Sequence, residues 1–158
     1  MLFRSGDACD KSLINQNARV ILSSRRVARL NAIAQNAKVD QALVIPLDVT
    51  DDKQLATAYE KIINTWSGID LLLFVSGIYT PLRADDFDIH IAEQTIDANL
   101  LGPMKAVALV LPKMLQAQSG NIAIVGSVAG YSGLPKALAY GPSKAAIIRS
   151  EEHTSELQ

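Results

Sequence analysis

Cysteine and histidine are scarce in this chain of 158 residues. The single cysteine, Cys9, excludes an internal disulfide and suits a reducing compartment such as the cytoplasm. Of the two histidines, His90 has no second histidine or cysteine at the spacing of metal ligands. We therefore expect no metal site.

An excess of charge of one sign is also lacking, because the net charge is −1 and the lysines and arginines are scattered. Without a basic stripe, nucleic acid is not an expected partner. No unbroken apolar run approaches the roughly 18 residues of a membrane span, and no signal peptide opens the chain, so no membrane partner is expected. With 49% apolar and 20% charged residues, the composition is typical of one soluble globular domain.

Short apolar runs alternate with segments of helical periodicity through the middle of the chain. The runs are nearly continuous, as in strands buried on both faces, and each helical segment carries one apolar stripe. This alternation predicts an α/β fold with a parallel sheet and crossover helices. Pro103 and Pro112 fall inside the last helical segment and predict a kink or an interruption there. The predicted strands are 18–22, 42–47, 69–75 and 121–125, and the helical segments are 27–34, 55–66 and 96–114.

The stretch from Tyr140 to Lys144, Tyr-Gly-Pro-Ser-Lys, carries the clearest chemical signal. In a helix beginning near Tyr140, positions i and i+4 share a face, so the Lys144 ammonium can lie beneath the phenol. The cation favours phenolate, and the pKa of Tyr140 should fall from its ordinary value of about 10. Such a tyrosine can act as an acid and a base near neutral pH. Ser127, at the end of an apolar run, can add a hydroxyl to the same substrate oxygen.

A tyrosine followed four places later by a lysine also occurs by accident, so the pair alone is weak. The order of the motifs is more specific, and it resembles the short-chain dehydrogenase/reductase family, single-domain branch, over essentially all of 6–148. Ser127, Tyr140 and Lys144 match the catalytic serine and the Tyr-x-x-x-Lys pair of that family. Asn99, in the segment 97–102 of sequence Asp-Ala-Asn-Leu-Leu-Gly, matches the fourth member of its catalytic tetrad.

The resemblance implies a Rossmann-like, doubly wound parallel sheet and hydride exchange between NADP or NAD and an alcohol or carbonyl substrate. Tyr140 would then be the general acid and base, and Ser127 would hydrogen-bond the substrate oxygen. Lys144 would lower the pKa of the tyrosine and bind the nicotinamide ribose, while Asn99 would hold a water linked to Lys144. Such enzymes usually form homodimers or homotetramers through the long helix and the helix carrying the Tyr–Lys pair.

The same resemblance suggests which residues contact the cofactor. Asp48-Val49 looks like the adenine-contacting pair of the family, and Gly6, followed by a helix-like segment 7–15, could be the last glycine of the phosphate-binding turn. The segment 74–77, Phe-Val-Ser-Gly, keeps the small pair of the family's Asn-Asn-Ala-Gly but lacks both asparagines. The expected cofactor-binding set is Gly6, Ser24, Arg25, Arg26, Asp48, Val49, Ser76, Gly77, Asn99, Tyr140 and Lys144.

The segment 21–26, Ile-Leu-Ser-Ser-Arg-Arg, bears on the choice between the two cofactors. It has no Asp or Glu to accept from the ribose 2′-hydroxyl of NAD, whereas an arginine suits the 2′-phosphate of NADP. NADP is therefore favoured over NAD. The alternative is that Arg25 and Arg26 are ordinary solvated residues of the first helical turn.

Both ends of the sequence differ in character from the middle. Residues 149–158 match a sequencing-library adapter translated in frame, and residues 2–5 match the last four codons of the partner adapter. We therefore expect 6–148 to be a natural, partial Rossmann domain and Leu2–Ser5 and Arg149–Gln158 to be non-native. In the family's strand order, a first strand would precede Gly6 and lie between the second and fourth strands. The resemblance thus implies an incomplete sheet that lacks this strand and the last strands.

Two other hypotheses about the function of this chain remain open. A redox-silent relative could use the same fold to bind or sense a dinucleotide, although such a protein would not need Asn99, Ser127, Tyr140 and Lys144 together. The polypeptide could also be an inactive fragment of an enzyme, because strand edges without a partner and exposed apolar faces favour aggregation.

Overall fold

The structure is a computed structural model that describes residues 4–150. Of the suspected non-native ends, residues 2–3 and 151–158 lie outside the described residues. The helices are α1 (Arg4–Asn15), α2 (Val27–Ala34), α3 (Asp52–Trp66), α4 (Ile89–Ile96), α5 (Gly102–Ala117) and α6 (Tyr140–Arg149). The strands are β1 (Val20–Ser24), β2 (Ala42–Pro46), β3 (Leu71–Phe74) and β4 (Asn121–Ile124). A π-helical turn spans Asp97–Leu101 and a 3₁₀ turn spans Val128–Gly130.

All four predicted strands form, and they pair in parallel with helices between them, which confirms the α/β, Rossmann-like fold class. The strands make two separate pairs rather than one sheet. In one pair β1 lies beside β2, with Val20 opposite Ala42. In the other β3 lies beside β4, with Leu71 opposite Asn121. The described residues divide into two compact units that contain one pair each.

The first unit comprises 4–70 and 109–120 and holds the β1–β2 pair. Side chains of β1 alternate between two helical layers, as the period of two in a strand requires. Val20 and Leu22 pack with residues of α1 and α2, including Ile14 and Leu30. On the other side Ile21 packs against the cluster formed by β2 and α3. This small sheet is therefore covered on both faces.

The second unit comprises 71–108 and 121–150 and holds the β3–β4 pair. Its most buried side chains come from the elements around α6 and not from β4, whose residues Asn121, Ile122 and Ala123 are exposed. Two loops, 75–88 and 125–139, are joined by a β-bridge between Leu82 and Ala137, both of which are buried. This bridge holds the two loops together within the unit.

The predicted interruption of the long helical segment is present as the π-helical turn, whereas Pro112 lies within α5. Gly102 N donates to the carbonyl of Asp97, five residues earlier. Pro103 has no N–H, so the carbonyl of Asn99 lacks the donor that an α-helix would supply. π-Helical turns of this kind often occur at functional sites.

The helical stretch from Ile89 to Ala117 is long and apolar enough to cross a membrane by length and composition alone, with a mean hydropathy of 1.2. A core helix of a soluble protein passes the same test, so this finding is weak evidence for a membrane span.

Candidate active site

The four residues that match the catalytic tetrad all lie in the second unit. Tyr140 is the first residue of α6, as the sequence predicts, and Lys144 follows one turn later. The Lys144 Nζ atom lies 6.0 Å from the centroid of the Tyr140 ring. Asn99 lies in the π-helical turn, and Ser127 immediately precedes the 3₁₀ turn. The i, i+4 spacing therefore places the ammonium near the phenol ring.

Lys144 is buried, with 4% of its surface exposed. Its Nζ donates to the carbonyl of Val125, just after β4, at 2.8 Å. Burial lowers the pKa of the Lys144 ammonium because desolvation disfavours the charged form. Since an ammonium has three donors, two N–H groups remain for other acceptors after this bond.

The Asn99 side chain links the π-helical turn to the loop after β3 and to α6 through hydrogen bonds. Only 1% of its surface is exposed. Its Oδ1 accepts from the N–H of Ile78 at 2.8 Å, and its Nδ2 donates to the carbonyl of Ile78 at 2.9 Å. Nδ2 also donates to Ser143 Oγ at 3.2 Å. Both amide N–H groups and the amide oxygen are thus engaged by the protein.

Ser143 is a member of this network that the sequence analysis missed. It is fully buried, accepts from Asn99 and donates to the carbonyl of Tyr140 at 2.8 Å. The signal was available, because Ser143 lies inside the Tyr-x-x-x-Lys stretch at a position i+3 from the tyrosine. A small hydroxyl there can reach the helical backbone and a neighbouring element together.

Glycines allow the Ser127 turn to pack closely on α6. A Cβ at Gly130 would lie 2.8 Å from the backbone carbonyl carbon of Lys144, and one at Gly141 would lie 3.2 Å from the carbonyl oxygen of Ala129. Ser127 Oγ accepts from Ala129 N at 3.2 Å, which orients the serine side chain within its turn. These contacts fix the serine turn relative to the helix that carries Tyr140 and Lys144.

The loop after β3 approaches the same residues at Gly77. A Cβ there would lie 3.3 Å from Asn99 Oδ1 and 3.6 Å from Lys144 Nζ. Ser76, its neighbour in the predicted small pair, is exposed. The two asparagines of the family segment are absent here, and the loop is held instead through Ile78 by Asn99 and through the bond from Val125 N to the carbonyl of Phe74.

The other predicted cofactor residues lie in the first unit, at or near the carboxyl ends of β1 and β2 and in α1. Ser24 Oγ accepts from Arg26 N at 3.0 Å. Arg25 forms an ion pair with Asp48 at 3.7 Å, and Val49 follows as a half-buried residue. Ligands of open α/β sheets bind at such carboxyl ends.

Asp48 is also held by its own turn. Its Oδ1 accepts from Thr50 N and from Thr50 Oγ1, at 3.0 and 2.8 Å. These hydrogen bonds lower the pKa of the Asp48 carboxyl, and Arg25 adds a smaller effect of the same sign. Gly6 differs from the expectation in one respect, since α1 begins at Arg4 and so includes Gly6 in its first turn.

Comparison with known families decides the class of this protein. The sequence model of the family described as short chain dehydrogenase matches residues 6–156. The chain belongs to the short-chain dehydrogenase family. The family suggested by the order of Asn99, Ser127, Tyr140 and Lys144 is therefore the family to which the chain belongs.

Similar proteins support the assignment of this short-chain dehydrogenase. An uncharacterized oxidoreductase of Staphylococcus saprophyticus is 29% identical over 145 residues, which cover 90% of this chain and 62% of that protein. The crystal structure of serine dehydrogenase from Escherichia coli is similar with a TM-score of 0.82 at 26% identity, covering 90% of this chain and 66% of that one. The closed form of serine dehydrogenase complexed with NADP⁺ gives a TM-score of 0.84 at 26% identity, covering 90% and 58%. The chain thus spans about 62% of the length of the curated relatives it matches.

Proposed function

We propose that this chain is the cofactor-binding and catalytic part of a longer NADP- or NAD-dependent oxidoreductase that interconverts an alcohol and a carbonyl compound. The observation that carries the proposal is the Tyr140–Lys144 pair at the start of α6, with Asn99 and Ser127 in the same unit. A bound nicotinamide cofactor would supply or accept the hydride. The protein would supply position and proton transfer.

In the reductive direction Tyr140 donates its phenolic proton to the carbonyl oxygen of the substrate. Ser127 donates a hydrogen bond to the same oxygen as negative charge develops there, which is the task of an oxyanion-stabilising group. Its hydroxyl is suited to this role because its oxygen already accepts from Ala129 N and its proton can point elsewhere. In the oxidative direction the phenolate of Tyr140 takes the proton back.

Lys144 acts by charge and by hydrogen bonding. Its ammonium donates to the carbonyl of Val125, lies 6.0 Å from the centroid of the Tyr140 ring, and keeps two donors for a ribose hydroxyl and for water. Gly77 also fits a cofactor-binding role. It has no side chain, and a side chain at this position would fill the space beside Lys144 and Asn99 that a cofactor would use.

Asn99 would hold the relay water through its backbone and not through its side chain. The side-chain amide is already fully bonded to Ile78 and Ser143. The carbonyl of Asn99 lacks its α-helical donor because residue 103 is proline. A water bonded to that carbonyl and to Lys144 completes the proton relay.

Replacement of the phenol tests the proposal in the full-length protein. Tyr140→Phe should lower kcat by about 10²- to 10⁴-fold, because general acid–base assistance is lost while the ring remains. Tyr131→Phe, at an exposed tyrosine of the same unit, is the matched control and should leave kcat unchanged. Near-normal turnover of Tyr140→Phe would refute the assignment.

NADP is the cofactor we propose. The Arg25–Asp48 ion pair is long and exposed, and such pairs contribute at most about 1 kcal/mol, so Arg25 can turn toward a 2′-phosphate at little cost. Wild type should show a lower KM for NADPH than for NADH, and Arg25→Ala should reduce that preference. An NADH preference in wild type would contradict this choice.

The compartment, assembly and substrate class that we propose are those usual for the family. We propose a cytoplasmic homodimer or homotetramer acting on a small-molecule substrate, with 6–148 as the natural Rossmann part of this chain. Light scattering of the full-length protein tests the assembly, and a gene sequence that lacks the segments 2–5 and 149–158 would support the boundaries.

A further inference from the structure

The loop after β3 carries a tyrosine, Tyr79, that is fixed on both sides along the chain. Immediately before it, the N–H and the carbonyl of Ile78 are both bonded to the buried side chain of Asn99. Three residues after it, the N–H of Leu82 donates to the carbonyl of Lys136 at 2.9 Å, and the Leu82 side chain is 1% exposed. Tyr79 therefore lies on a short segment with two anchored ends and has little freedom to move as a loop.

The ring of Tyr79 contacts the ring of Tyr140 edge to face. The ring centroids are 5.2 Å apart and the ring planes meet at 69°. This is an arrangement that aromatic pairs prefer, because the positive edge of one ring meets the negative face of the other. With 40% of Tyr79 exposed, part of its surface remains available beside Tyr140.

The group that the loop places against Tyr140 is aromatic and uncharged. Arg83, the only basic residue in 75–88, forms an exposed ion pair with Asp85 at 2.8 Å. Asp88 caps α4 through the N–H of His90. What the loop presents beside Tyr140 is therefore an aromatic ring rather than a charge.

Resting on the proposed role of Tyr140, we propose that Tyr79 is a positioning and specificity-determining residue. It fixes the ring of the acid–base tyrosine and offers an aromatic surface to the group attached to the substrate carbonyl carbon. The substrate class it favours is a ketone or secondary alcohol that carries an aryl or bulky alkyl group. Small hydrophilic carbonyl compounds gain nothing from this surface.

The ring contact is tested without any turnover. In the full-length protein labelled with ¹³C-tyrosine, the Tyr140 ring resonances are assigned with Tyr140→Phe. Tyr79→Leu should move these resonances by removing the ring current of Tyr79, whereas Tyr79→Phe should leave them in place. Tyr59, in the first unit, is an internal reference for intact folding. Unchanged Tyr140 resonances in Tyr79→Leu would overturn the positioning role.

The specificity role is tested with acetophenone and dihydroxyacetone as paired substrates. Tyr79→Leu should lower kcat/KM for acetophenone about tenfold, corresponding to about 1.4 kcal/mol, and change that for dihydroxyacetone less than threefold. Tyr79→Phe should restore the wild-type ratio, because the ring and not the hydroxyl makes the contact. A ratio that is the same in wild type and Tyr79→Leu, or a wild-type preference for dihydroxyacetone, would overturn this role.

The two proposals fail in different ways. An active Tyr140→Phe variant removes the acid–base assignment whatever Tyr79 does. Loss of activity in Tyr140→Phe together with an unaltered Tyr79→Leu variant removes only the role of Tyr79.

Discussion

At the scale of single residues, two buried polar side chains of the second unit, Lys144 and Asn99, find hydrogen-bond partners within the protein. Lys144 and Asn99 are both nearly inaccessible, and a buried polar group without a partner costs about 1–3 kcal/mol. Lys144 has a backbone carbonyl as one hydrogen-bond partner, and Asn99 is satisfied by the backbone of Ile78 and by Ser143. The polar groups proposed for catalysis are therefore also structural members of the unit.

Asp10 in α1 gives a prediction about pH. Burial, reinforced by repulsion from Asp7, raises the pKa of Asp10 from 3.8 to about 6. Between these values the folded state binds a proton that the unfolded chain has lost, so the free energy of unfolding falls as the pH rises. Asp10→Asn should therefore be more stable than wild type above pH 6 and nearly equal to it near pH 4.

Urea denaturation of the full-length protein at pH 4 and pH 7.5 measures this difference. Asp40→Asn is the control, because Asp40 is exposed and has a φ of 59°, a conformation that asparagine tolerates equally well. The same difference between wild type and Asp10→Asn at both pH values would contradict the expectation.

At the scale of elements, the contact between the 3₁₀ turn and α6 gives a steric prediction. A Cβ at Gly130 would lie 2.5 Å from Ile148 Cδ1 and 2.8 Å from the carbonyl carbon of Lys144, and the helix backbone cannot give way. Gly130→Ala should destabilise the full-length protein by about 1–3 kcal/mol, as overpacking does, and should lower kcat by moving Ser127.

Gly133 provides the matched comparison, since a Cβ there meets nothing within 4 Å. Gly133→Ala should leave both the thermal midpoint and kcat close to those of wild type. If the two alanine variants behave alike, the close approach of the turn to α6 is not what fixes Ser127.

The elements also mark what a sequence can and cannot predict here. Apolar periodicity located every strand to within about two residues, because burial on both faces leaves a continuous signal in each run. The prolines predicted an interruption of the long helical segment, but the sequence could not show that it is a π-helical turn, since the same residues could continue as a kinked α-helix. The choice depends on Pro103 and on the contact of Asn99 with Ile78, which lies far away in sequence.

Some residues of the candidate site could also be predicted from the sequence, and others could not. Tyr140 and Lys144 were predictable because helical spacing fixes which residues share a face. Tyr79 was not, because an aromatic residue in a loop has no period and its partner is distant in the chain. Likewise, the family resemblance could suggest Asn99 as a catalytic group but not that its side chain is fully engaged by Ile78 and Ser143.

At the scale of the whole molecule, the exposed apolar surface of the second unit predicts poor behaviour in solution. Val128 and Tyr131 are more than 70% exposed, and Ile122 and Val125 on and beside β4 are about 40% exposed. Apolar strand surface of this kind favours association. Residues 6–148 expressed alone should bind the dye ANS, elute as aggregates and unfold without a sharp transition.

The full-length protein is the control for that experiment and should unfold cooperatively. A cooperative transition of 6–148 that shifts upward with NADPH would show instead that this part folds and binds cofactor on its own. Differential scanning calorimetry with and without NADPH distinguishes the two outcomes.

The π-helical turn also sets the angular phase of the helix on its two sides. Each residue of an α-helix advances the chain by about 100°, and a π turn accommodates roughly one residue more than an α turn. The turn at Asp97–Leu101 is thus equivalent to a one-residue insertion. Deleting one residue here would restore regular helical hydrogen bonding with little rotation of α4 against α5, but it would remove the wide turn that holds Asn99 beside Ile78. The length of this short segment is therefore as constrained as the identity of its asparagine.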